Sequence, residues 1–195
     1  MVFQIAGILI LLSFYTIYVG KMVRQKSKGI QTDQIARGKK VKSLFRTEII
    51  MKIATYSIVV VELISIFFNT HLPYVIIRVV GVFLGVIGVM IFGIAVNTMR
   101  DSWRAGIPEK DKTELVTSGI FRISRNPAFL SFDMVYLGIL LMFFNWVLLL
   151  FSIWTVTMLH LQIKQEEKFL LVIFGEKYLQ YKKQTKRYIG KNKID

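Results

Sequence analysis

Arg125-Asn126 and Gln165-Glu166-Glu167 are the residues in this sequence best suited to chemistry, because they stand at the two open ends of a helical hairpin. Apolar runs precede and follow Asn145-Trp146, a turn so short that the helices on either side must be antiparallel neighbours. Folding about that turn pairs positions whose numbers sum to about 291. It sets Arg125 opposite Glu166, Asn126 opposite Gln165, and Asp133 within one turn of His160, at a depth of roughly 6 to 9 Å by helical rise. Ionisable side chains at that depth are costly and face a cavity or each other. As a site, the cluster offers a guanidinium and carboxylates to a charged ligand, and His160 held by Asp133 offers a base. As packing, the same residues form an Arg125–Glu166 ion pair and an Asp133–His160 hydrogen bond that fix two helices. Both readings stand at this level. Asn126-Pro127 is also a good helix start, with Asn as N-cap and Pro at the first helical position. Unpaired N–H groups there receive a ligand's negative charge.

The elements that position these residues are read from hydropathy and charge. Of 195 residues, 54% are apolar and the mean hydropathy is +0.52, more than a soluble domain needs. A span takes roughly 20 apolar residues, and the sequence predicts them at Val2 to Val19, Ile49 to Phe68, Val75 to Val96, Ala128 to Phe144 and Val147 to Ile163. The first has no preceding basic residue and no small-residue cleavage site, so a retained helix is expected and not a cleaved leader. Nine Lys or Arg lie between Lys21 and Arg46, six between Arg100 and Arg125 and nine between Lys164 and Lys193, whereas Asn69 to Val75 and Asn145-Trp146 hold none. That asymmetry predicts an outside N-terminus and a cytoplasmic C-terminus. Beyond Ile163, the apolar stripe Phe169, Leu170, Ile173, Phe174, Tyr178 and Tyr181 predicts two short amphipathic helices at the membrane surface. The expected fold is all-α: one membrane domain over residues 1–195, a polytopic bundle of about five transmembrane helices with a C-terminal hairpin and amphipathic cytoplasmic helices.

Several classes are excluded. Basic residues number 26 against 12 acidic ones, but they fall between apolar blocks, so anionic lipid headgroups are the expected partner and nucleic acid is not. With no cysteine and only His71 and His160, no metal site is expected. Glu62 and Arg78 fall near the outer ends of the second and third helices and are expected to form a structural ion pair. Gly81, Gly85 and Gly88 form a smooth strip for close helix approach that also permits a homodimer. Pro73 and Pro108 mark loops.

Around the hairpin, an ordered set of pieces resembles one known signature. The pieces are Glu114-Leu-Val-Thr-Ser-Gly119-Ile-Phe-Arg-Ile-Ser-Arg125-Asn126-Pro127, then Gln165-Glu166-Glu167, Phe174-Gly175-Glu176-Lys177-Tyr178-Leu-Gln-Tyr181 and Arg187-Tyr188. They resemble the isoprenylcysteine carboxyl methyltransferase and phospholipid methyltransferase superfamily over residues 97 to 190, whereas residues 1–96 match only as membrane helices. The resemblance implies an S-adenosylmethionine-dependent methyltransferase in the cytoplasmic membrane of a bacterium, with the cofactor held by residues 97–195 and a lipophilic acceptor, isoprenylcysteine-like or phospholipid-like, entering from the bilayer. Its cofactor-lining residues fall on Leu115, Val116, Gly119, Ile120, Phe121, Asn126, Pro127, Phe129, Glu166, Glu167, Tyr178 and Tyr181. Its charged residues of the reaction fall on Arg125 and Arg187. Asp101-Ser102-Trp103-Arg104 resembles the preceding loop of bacterial members, which gives Arg104 and Arg187 to an anionic acceptor. Asn126 stands where the family has His, Phe129 where it has Tyr, and Gly190 where it has Pro. Asn keeps hydrogen bonding without carrying a proton at neutral pH, so a base for an amine acceptor falls to His160 with Asp133. Two other classes fit the same hairpin: an NADPH-dependent reductase of the sterol-reductase type, and a non-catalytic membrane scaffold.

Overall fold

A computed structural model describes residues 1–72, 74–107 and 113–192; the expected loop prolines Pro73 and Pro108, and Lys193 of the basic C-terminal run, lie outside the described residues. The protein is all-helical, with α1 (Val2–Lys26), α2 (Lys42–Phe68), α3 (Val75–Met99), α4 (Pro127–Met142), α5 (Trp146–Phe174) and α6 (Glu176–Gln184). Single 3₁₀ turns occupy Arg100–Ser102 and Gly119–Arg122. No strand forms among the described residues, only isolated bridges such as Asp33 with Ala105.

Four helices, α1, α2, α3 and α5, are long and apolar enough to cross a bilayer. Helix α4 has 16 residues, about 24 Å by helical rise against a hydrocarbon core of about 30 Å. The expected bundle of about five helices is therefore present, with four full-length crossings and α4 shorter than the rest. Side chains such as Phe67, Phe83 and Leu150 are exposed, as lipid-facing residues of an integral membrane bundle must be.

The expected hairpin forms, and its turn is pinned. Asn145 caps α5 by accepting from the Leu148 N–H at 2.8 Å, while its amide donates to Ser65 Oγ at 2.8 Å and Thr70 Oγ1 at 3.1 Å at the end of α2. The two arms do not stay together, however: α4 lies chiefly along α3, and α5 along α2. Glycine decides this. Apolar burial does not drive helices together in lipid, so association falls to close packing and polar contacts. A Cβ on Gly138 would sit 2.7 Å from Gly85 N and 2.8 Å from Gly81 O, and one on Gly81 would sit 2.6 Å from Gly138 O. The backbones of α3 and α4 thus touch, and the strip predicted to receive a helix is filled by α4 of the same chain. Drawn to different partners, α4 and α5 part between their turn and the end of the bundle that carries the basic loops, here the basic end.

Two further expectations are corrected. Helix α5 runs unbroken to Phe174, because nothing interrupts it before Gly175 at φ +50°. The first of the two predicted surface helices is therefore the end of α5, and only α6 is separate. The Glu62–Arg78 pair does not form. Arg78 donates to Asn69 Oδ1 at 2.7 Å and lies over the Phe3 and Phe143 rings at 4.2 and 5.3 Å; the left-handed C-cap conformation of Asn69 ends α2 beside it.

If backbone contact between α3 and α4 sets this architecture, Gly138→Val should destabilise the protein by about 2 kcal/mol, within the usual range for overpacking. Gly20→Ala, with nothing near its new methyl, should not lower the melting temperature and should raise it slightly, as Ala favours a helix interior over Gly by about 0.5–1 kcal/mol. Thermal unfolding in detergent micelles reads both.

Candidate functional site

Glu167 organises the basic end. It projects from α5 one turn beyond the apolar stretch and accepts from Arg125 Nε at 3.3 Å and Nη2 at 2.7 Å, and from Arg187 Nε at 3.1 Å and Nη2 at 2.7 Å. Arg125 Nη1 donates to the Lys182 and Thr185 carbonyls, at 3.1 and 2.7 Å. The start of α4, the C-terminal part of α5, the end of α6 and the C-terminal tail are thereby tied at one buried carboxylate. The hydrogen bond to Glu167 raises the Arg187 guanidinium pKa, which keeps the pair ionised. Asn126 occupies the N-cap of α4 but does not cap it with its side chain. Its amide instead donates to Glu167 Oε1 at 3.4 Å and to the Arg187 carbonyl at 3.2 Å.

The expected register is off by one position at this point. Arg125 pairs with Glu167 and not Glu166, since one residue turns a helix by about 100° and sends Glu166 toward a cavity. Tyr181 belongs to the brace as well: its hydroxyl donates to the Phe121 carbonyl at 2.7 Å, and burial raises its pKa. Tyr178 packs beside Phe121 and Tyr181, with Ile120 against the cluster; burial pushes its phenol up to about 12. Gly119 starts the 3₁₀ turn at φ +59° against Thr98.

The cavity has a volume of about 240 Å³ and lies inside the bundle. Nine of the sequence-predicted residues line it: Arg104, Leu115, Val116, Phe121, Arg125, Asn126, Pro127, Phe129 and Glu166. Its basic-end wall adds Gln162, whose Nε2 donates to Glu166 Oε1 at 3.3 Å and whose Oε1 is buried without a partner. Toward the middle of the bundle the wall turns aromatic and apolar, with Tyr15, Tyr56, Val59, Phe132 and Tyr136. Gly119, Ile120, Glu167, Tyr178, Tyr181 and Arg187 stand behind the wall.

Asp133 and His160 lie elsewhere, and they do not bond to each other. His160 Nδ1 shares a 2.6 Å hydrogen bond with Tyr188 Oη, their rings stacked at 6.0 Å, while Asp133 Oδ1 has no partner. The divergence of α4 from α5 parts the expected pair and lets the tail residue Tyr188 take the histidine.

The part that sequence reasoning missed is a cover built by the N-terminal half. Residues 31–40 run across the basic end and join the segment 103–107: the Ala105 N–H donates to the Thr32 carbonyl at 3.0 Å and the Gln34 N–H to the Ala105 carbonyl at 2.7 Å. Gly106, at φ +85°, lies so close that a Cβ would sit 2.8 Å from Ile35 N. Glu48 of α2 holds the cover in place. Its buried carboxylate pairs with Lys40 at 2.6 Å and accepts from the Ala36 N–H at 2.6 Å, the Ile107 N–H at 3.2 Å and Gln162 Nε2 at 3.5 Å. A signal was present: Glu48 stands three and six positions before Met51 and Ala54, on the one buried stripe of a mostly apolar helix.

Chemically, the basic end offers acceptors in Gln162 Oε1 and Glu166, a cation in Arg104, and the N–H groups at the start of α4. The apolar walls of Leu115, Val116, Phe121 and Phe129 suit a flat ring. No group of His, Cys, Asp and Glu able to hold a metal occurs among the described residues.

A family model described as phospholipid methyltransferase matches residues 74–177, more than half of the chain, from the start of α3 to the first residues of α6. No curated protein matches the chain.

Brace and wall should respond differently to substitution. Glu167→Ala leaves the buried Arg125 without its anion and should cost about 3 kcal/mol of stability, as broken buried pairs do. Glu166→Ala removes a single hydrogen bond, from Gln162, and should cost no more than about 1 kcal/mol. Parallel melts of the two variants measure the contrast.

Proposed function

We propose that this chain, which belongs to the phospholipid methyltransferase family, moves a methyl group from S-adenosylmethionine to a lipophilic acceptor within the cavity between its helices. The observation that supports this reading is one cavity with two chemistries: Gln162, Glu166, Asn126 and Arg104 at its basic end, and Tyr15, Tyr56, Val59 and Tyr136 at its membrane end. A water-soluble, charged cofactor fits the first and a lipid-soluble acceptor fits the second. Tyr56 lies on the cavity wall and is 66% exposed, so an acceptor has a sideways path from the bilayer. The concentration of basic loops at the polar end supports a cytoplasmic placement of that end.

Bound there, the cofactor supplies an electrophilic methyl carbon on a sulfonium, and transfer is an in-line displacement that asks the protein for position and charge management. Glu166 and the unfilled Gln162 Oε1 accept hydrogen bonds from amino or ribose hydroxyl groups. The N–H groups of the first turn of α4 face a carboxylate, with Asn126 fixed at that turn by its bonds to Glu167 and the Arg187 carbonyl. Phe121 and Phe129 present rings to the adenine and to the positive sulfur. Arg104 draws an anionic acceptor headgroup to the mouth. The apolar wall excludes water, which favours a displacement that neutralises the sulfonium charge. Arg125, Glu167 and Arg187 act one step removed by holding Asn126 and the α4 start in place. Residues 31–40 and Glu48 close the polar end.

Calorimetric titration of protein in lipid nanodiscs tests the reading. S-adenosylmethionine should bind with a dissociation constant in the range of about 1 μM to 1 mM, typical of enzyme substrates. Glu166→Ala should weaken it about tenfold, the equivalent of one hydrogen bond to a charged group. NADPH should give no heat. Binding of NADPH in place of S-adenosylmethionine would overturn the reading.

A further inference from the structure

The mechanism leaves Glu62 unused. It lies on the buried face of α2 and is 0% exposed, 14 positions and about 21 Å of helix beyond Glu48. Both of its carboxylate oxygens lack a hydrogen-bond partner. Arg78, the cation that sequence reasoning assigned to it, is turned to Asn69. A carboxyl whose task was to lock helices would be bonded, since buried polar groups almost always are. An ionisable residue inside the membrane points to function.

The cavity wall runs toward it and ends one helical step short, at Val59. Lys52, Thr55 and Val59 line the wall at the three- and four-residue steps of one helix face, and the next step on that stripe is Glu62. Tyr15 of α1 and Tyr136 of α4 line the same end, and both lie within electrostatic reach of Glu62. Tyr136 Oη is also buried, with the Tyr15 hydroxyl beside it. Around them the packing is apolar and aromatic, with Ile58, Phe14 and Phe132. Polar groups from three helices therefore gather at the membrane end of the cavity and just behind its wall, and the acceptor oxygens of Glu62 have no donor.

We propose that this end of the cavity is a binding subsite for a hydrogen-bond-donating group, a hydroxyl or an amine, carried at the far end of an otherwise apolar acceptor. The acceptor would then be an amphiphile with polar groups at both ends of its chain, separated by about 16 Å, the helical rise from Met51 to Glu62. A simple hydrocarbon tail would leave the carboxyl unsatisfied. The idea rests on the methyl-transfer reading only in calling the ligand an acceptor; the subsite itself is a matter of binding.

Ligand-induced thermal shifts of the protein in nanodiscs, without cofactor, test it with 1,12-dodecanediol, 12-amino-1-dodecanol and 1-dodecanol. The first two place a donor at each end of a chain of suitable length, and the third at one end only. At least one two-ended probe should bind the wild type tenfold or more tighter than 1-dodecanol, and which one does so tells hydroxyl from amine. Glu62→Leu should abolish that preference and raise the melting temperature, because it removes an unpartnered buried carboxyl. Tyr136→Phe, a milder change, should reduce the preference and keeps the test open should Glu62→Leu fail to fold. S-adenosylmethionine affinity should be unchanged in both variants. Equal affinities for the three probes, or a preference that survives both substitutions, would overturn the subsite. Loss of S-adenosylmethionine binding in the wild type with the preference intact would count against methyl transfer and leave the subsite standing.

Discussion

The basic end of this protein depends on one shared carboxylate. Glu167 receives two guanidiniums, and Arg125 passes the connection on to the carbonyls that end α6. In a bilayer protein such a node is needed, because apolar surface is as content against lipid as against another helix. Polar bonds and close packing must fix the geometry. The node keeps the first turn of α4, with Asn126, Pro127 and Phe129, at a set distance from the Gln162–Glu166 face of α5, and the cavity is what lies between.

The opposite tendency, separation, comes from glycine. Gly81, Gly85 and Gly138 let α3 and α4 meet backbone to backbone, and α5 takes α2 as its partner, where Thr155 Oγ1 reaches the Ala54 carbonyl at 3.3 Å. Joined at Asn145 and tied again at Glu167, the arms of the hairpin are held apart in the middle. A hairpin packed along its whole length would have filled this space with side chains.

Much of this was legible in the sequence because hydropathy, charge asymmetry and turn length are coarse signals with clear physical causes. The helices, the hairpin and the meeting of residues 125–127 with 166–167 all follow from them. Helix phase did not follow. Whether Glu166 or Glu167 meets Arg125 depends on a rotation of one residue, and counting from a turn cannot resolve that once the arms diverge. The Asp133–His160 and Glu62–Arg78 pairs were drawn from depth alone. In each, a local competitor wins: Tyr188 from the tail, and Asn69 from a left-handed helix cap. The cover of residues 31–40 stayed invisible because its bonds are mostly to backbone, and only the isolated Glu48 in an apolar helix betrayed it.

The central claim is that a soluble cofactor sits under that cover, on the Gln162–Glu166 face. Hydrogen–deuterium exchange with and without S-adenosylmethionine tests it most directly. Backbone amides of residues 33–37, 103–107 and 114–121 should exchange more slowly when the cofactor is present, with the far ends of the helices around Asn69 and Asn145 unaffected. Unchanged exchange in those segments at saturating cofactor, or protection confined to the Asn69 and Asn145 end, would contradict the account.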